Sequence, residues 1–62
     1  MATLQTKIVA HRREAAALCQ RFADEHGHDT EAGRDQLARA RHWTAAAEAA
    51  EAGDLSPRPY EG

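Results

Sequence analysis

The chain has little of what would build a secreted scaffold, a membrane anchor or an enzyme. Among its 62 residues there is one cysteine, and phenylalanine, tryptophan and tyrosine occur once each. A lone Cys19 cannot close an intrachain disulfide, which excludes a stapled secreted framework and points to a reducing compartment. No apolar run approaches the roughly 18 residues of a membrane span, and the first ten residues are too polar for a signal peptide. A soluble cytoplasmic protein is therefore expected, with no membrane partner. The net charge of −2 gives no general attraction to nucleic acid. There is no nucleophile–base–orienter set, no paired carboxylate site and no glycine-rich phosphate loop. No catalytic residue, no cofactor and no enzymatic activity are expected.

What the chain does have is alanine. Fifteen alanines dominate a hydrophobic content of 42%, and alanine favours helix while burying little area. The large apolar side chains are Leu4, Ile8, Val9, Leu18, Phe22, Leu37, Trp43 and Leu55, with Met1 and Tyr60 near the ends. Two alanine-rich segments, residues 3–26 and 29–52, flank a break at Gly27-His28. Thr3 suits the N-cap of the first segment and Gly27 its left-handed stop; Asp29 suits the cap of the second and Gly53 its stop. The fold class predicted is all-α, an antiparallel two-helix hairpin over residues 1–53 with a flexible, proline-containing tail at 54–62. Ordering a residue costs about 1.5 kcal/mol, more in sum than so few large side chains return. The hairpin is accordingly expected to assemble with itself, as a homodimer or higher helical bundle.

The faces of the helices follow from spacing. Leu4, Ile8, His11, Ala15, Leu18 and Phe22 recur at intervals of 4 and 3, a heptad-like stripe. Gln36, Ala40, Trp43, Ala47 and Ala50 do the same on the second helix, flanked by Leu37. The core or oligomer seam is thus read as Leu4, Ile8, His11, Leu18, Phe22, Leu37 and Trp43, with His11 as a hydrogen-bonded seam histidine. Folding back at the break sets Ile8 opposite Ala47, Leu4 opposite Ala50 or Glu51, and Leu18 opposite Leu37 or Ala38. Charges fit the same register: Lys7 falls near Glu48 and Glu51, Arg21 near Asp35, and Glu14 near Arg41 or His42. Exposed pairs of this kind contribute about 0–1 kcal/mol each, so they select register more than they stabilise.

Binding candidates are few. Arg12, Arg13, Arg39 and Arg41 form a basic band at mid-hairpin, suited to phosphate through forked guanidinium hydrogen bonds or to a solvated face paired with Glu14 and Glu48. Trp43 sits beside it and offers either packing bulk or a stacking surface. His26, His28, Asp29 and Cys19 gather near the turn, but His-x-His across a glycine matches no familiar ligand spacing, so no metal site is expected. Pro57-Arg58-Pro59-Tyr60 reads as an extended chain end or a short linear motif.

The stretch Leu37-Ala38-Arg39-Ala40-Arg41-His42-Trp43-Thr44-Ala45-Ala46-Ala47 resembles the second helix of a group of phage proteins, the cyclic-nucleotide sponges that counter CBASS and Thoeris defence. Leu37, Ala40, Trp43 and Ala47 carry the resemblance, which spans residues 30–47. It implies a non-enzymatic oligomer in the host cytoplasm that sequesters a phosphorylated small molecule such as a cyclic nucleotide, an anti-defence role. The architecture is also similar to the plasmid copy-control protein Rop, a hairpin that dimerises into a four-helix bundle, which implies an RNA-binding regulatory dimer. A small protein-binding inhibitor or adaptor is a third reading. A single TPR-like helix pair over Ala46–Asp54 is disfavoured, because one repeat cannot support itself.

Overall fold

A computed structural model describes residues 2–61; Met1, and Gly62 at the end of the expected tail, lie outside it. Two helices, α1 (Leu4–His26) and α2 (Glu31–Glu51), pack against each other, and no strand occurs among the described residues. With residues 54–61 included, the described chain forms a slab of 40 × 22 × 13 Å. No described helix is long and apolar enough to cross a membrane.

Each helix end has an identifiable chemical cause. Thr3 caps α1, its side chain accepting from the Thr6 amide at 3.1 Å. Gly27, at φ +89°, closes the helix with a backbone hydrogen bond to Ala23 O, a conformation that only glycine adopts without strain. The start of α2 differs from expectation: Thr30, not Asp29, is the cap. Its hydroxyl accepts from the Gly33 amide at 3.0 Å and also lies 2.8 Å from Gly27 O and 3.0 Å from His26 O, tying both helix ends together. Asp29 stays exposed in the turn. At the far end Gly53 N donates to Ala50 O and Asp54 N to Ala49 O, the paired bonds of a Schellman stop.

The register is the expected one, since Gln5 donates to Ala50 O and Glu51 O while Arg12 donates to Ala46 O. On α2 the expected face is the inner one: Ala40, Ala47 and Ala50 are buried and Gln36 and Trp43 half-buried. On α1 it is not. The inward residues are Val9, Arg12, Ala16, Cys19 and Ala23, one position on from the expected stripe. Leu4 is 67% exposed, Leu18 49% and Phe22 40%, and His11 is exposed as well, so none of these four is a seam residue within the chain. Ile8 and Leu37 are half-buried.

Shifting one residue along a helix turns the face by about 100°. The turn has a steric reason. Two helices facing each other with alanine approach to about 8 Å between axes, whereas leucine and phenylalanine hold them farther apart. The rotation also moves the charges. Glu51 pairs with Arg13 rather than Lys7, and Asp35 pairs with Arg39 on its own helix at 2.9 Å rather than with Arg21. Among the described residues Lys7, Glu14 and Arg21 make no ion pair.

Residues 54–61 have no helix or strand, as expected, yet they are held against the hairpin rather than projecting from it. Arg12 Nη2 donates to Ser56 O at 2.7 Å, and His42 Nε2 donates to Arg58 O at 2.6 Å. Within the tail, Ser56 N donates to the Asp54 carboxylate, which also pairs with Arg58. These bonds, the Ser56 amide first and Arg58 second, pull the Asp54 carboxyl down to about 2 from its usual 3.8.

Candidate functional site

The basic band is the natural starting point, and the structure disperses it. Arg12 is 5% exposed. Its guanidinium is spent on three main-chain carbonyls, with Asp54 O the longest at 3.5 Å. A buried guanidinium needs such partners to offset its lost hydration, and none of its geometry is directed at a ligand. Arg13 is exposed and paired with Glu51. Arg39 is paired with Asp35, which raises its pKa, and lies 4.8 Å over the Tyr60 ring. Arg41, two residues on, points to another side of α2, because two residues turn the helix by about 200°.

Trp43 is half-buried and meets His42 edge-on, at 5.0 Å between ring centres. His42 in turn meets Tyr60 edge-on at 5.5 Å. The histidine is the hub of this cluster: two aromatic edges orient its ring, and the Arg58 carbonyl fixes the proton on Nε2. Nothing in local periodicity signalled His42 or Tyr60; the only cue was an aromatic residue retained in a proline-rich end. At the turn, His28 Nε2 lies 2.6 Å from Asp24, and this bond, ahead of one from Gln20, lowers the Asp24 pKa. Among the described residues no group of three or more His, Cys, Asp or Glu side chains is placed to hold a metal ion.

Among the described residues, two surfaces not used by these internal bonds bear on binding. One is an open groove of about 390 Å³ between the helices, lined by Gln20, Leu37, Ala40, Arg41, Thr44 and Glu48 among others. The other is the outward stripe Leu4, His11, Leu18 and Phe22 on α1. They lie on different sides. On α1 the stripe falls to one flank of the inward face and Gln20 to the other, while on α2 Arg39 and His42 hold the tail on the flank away from the groove. The stripe and the tail, with half-buried Leu55 and Tyr60, therefore share one broad face of the slab.

Compared with known proteins, the chain matches no family model, no curated protein and no solved structure.

Proposed function

We propose that the chain is a non-enzymatic helical-hairpin binding protein whose working form is a homo-oligomer, assembled through the α1 stripe. One observation carries the reading: Leu4, Leu18 and Phe22 of α1 face outward, and among the described residues no large side chain is fully buried within a protomer. Burying the remaining surface of Leu4, Leu18 and Phe22 against a second copy contributes roughly half of the 1.5–3 kcal/mol that full burial of such a side chain gives. The broad side of the chain, 40 by 22 Å with the tail included, is large enough to accommodate the roughly 800 Å² that each partner commits in a standard stable interface. A second copy matches this face in length and in apolar character.

The narrower reading, capture of a phosphorylated small molecule such as a cyclic nucleotide by Arg12, Arg13, Arg39, Arg41 and Trp43, has less support. Arg12 is withdrawn into the interior and Arg13 and Arg39 are ion-paired, which leaves Arg41. One guanidinium is less than a forked phosphate clamp requires. Discrete calorimetric binding of a cyclic dinucleotide, lost in Arg41→Ala, would favour capture; steeply salt-dependent binding of structured RNA would favour a Rop-like role.

The test is Leu18→Glu, a change at a position already exposed within the protomer. A carboxylate placed in an apolar contact is expected to weaken self-association by about 100-fold or more. Sedimentation equilibrium reads the change. An unaltered oligomer mass in Leu18→Glu and in Phe22→Glu would remove the stripe from the interface.

A further inference from the structure

The outer surface of α2 has a pattern that the hairpin itself does not use. Ala38 and Ala45 stand seven residues apart on the helix and the C-cap Ala52 continues the interval, and beside them Arg41 and Glu48 stand seven apart, with Thr44 between. Along their own helix, the residues three and four positions from Arg41 are Leu37, Ala38, Thr44 and Ala45, and those from Glu48 are Thr44, Ala45, Glu51 and Ala52. Neither group therefore has an opposite charge within helical reach. Among the described residues neither makes an ion pair, although both border the open groove.

The pattern is self-complementary under one operation. When a second α2 lies antiparallel across the groove, with the twofold axis between Thr44 and Ala45, Arg41 meets the partner's Glu48. The same rotation brings Glu48 to the partner's Arg41, so one contact satisfies four charges, as an isologous interface requires. The alanines at heptad spacing allow the close axial approach that such a pairing needs.

We propose that this groove receives α2 of a second copy of the chain, as a twofold contact locked by the Arg41–Glu48 exchange. It extends the oligomeric reading with a contact distinct from the α1 stripe. Because the two lie on different sides of the protomer, together they permit a tetramer. In this arrangement Arg41 serves assembly, not a phosphate.

The contact is tested by charge exchange in a Leu18→Glu background, where the stripe no longer contributes. The full chain is compared with Arg41→Glu, with Glu48→Arg and with both changes, using sedimentation equilibrium for mass and circular dichroism for helix content. Each single reversal is expected to raise the dissociation constant at least about tenfold, and the double reversal to restore it. Rescue within one chain is excluded, because residues seven apart on a helix are separated by about 10 Å. Single reversals without effect, a double reversal no tighter than the weaker single, or a Leu18→Glu chain that is monomeric at every concentration would each overturn the contact. If Leu18→Glu leaves the mass unchanged, the stripe reading fails while the charge exchange still reports on the groove.

Discussion

Replacing Arg12 with alanine is expected to cost about 3 kcal/mol and to release residues 54–61 from the hairpin. The figure follows from hydrogen bonds to a charged group, worth about 1.5–3 kcal/mol each. Two of the three here are short, at 2.8 Å to Ala46 O and 2.7 Å to Ser56 O. Once the tail leaves, its carbonyls regain water, so the loss stays below the simple sum. It is still a large fraction of the few kcal/mol by which a chain of this size is stable. Arg12→Lys should recover little, because an ammonium is a point charge and cannot fork between a helix carbonyl and the tail. Urea unfolding measures the stability, and nuclear Overhauser contacts between the Tyr60 and His42 rings report on the tail. An Arg12→Ala chain with an unchanged urea midpoint and intact Tyr60–His42 contacts would show that Arg12 does not anchor the tail.

A second substitution should behave against ordinary helix rules. Gly33 lies in the first turn of α2, where alanine normally stabilises a helix by about 1 kcal/mol. Here a Cβ would stand 1.8 Å from Gly27 O and 2.8 Å from Gly27 C, both main-chain atoms of the turn. Neither can move without breaking the Thr30 bonds that join the helix ends. Gly33→Ala is expected to destabilise by about 3 kcal/mol, at the upper end of overpacking costs. That lowers the melting temperature by more than about 10 °C in so small a domain. Gly53→Ala is the comparison: nothing lies within 4 Å of its Cβ, so only the strain of φ +102° remains, about 1–2 kcal/mol. Thermal denaturation of both variants distinguishes the clash from the strain. A Gly33→Ala chain as stable as the parent would mean that the two helix ends do not approach this closely.

Much of the hairpin is legible from composition and spacing. Thr3, Gly27 and Gly53 announce the helix ends through local chemistry, and the small face of α2 follows from its own period. The inward face of α1 is not legible in the same way. Leu4–Ile8–His11–Ala15–Leu18–Phe22 and Gln5–Val9–Arg12–Ala16–Cys19–Ala23 share one spacing, one residue apart. Periodicity cannot choose between them. Bulk favours the first track, but close approach to the alanines of α2 selects the second. Spacing alone does not mark Arg12 as an interior residue, because two of its three partners belong to a tail without periodicity, and only the folded chain brings Ser56 and Asp54 to it. For the same reason the basic band looks continuous in sequence and is divided in space.

That choice of track is what makes the apolar stripe available to another chain, and molecular mass is its most direct test. Sedimentation equilibrium of the unmodified chain across the micromolar range should give a weight-average mass that rises with concentration to at least twice the 6.8 kDa of one chain. A single 6.8 kDa species at every concentration, helical and melting cooperatively, would contradict the claim that Leu4, Leu18 and Phe22 face a second copy.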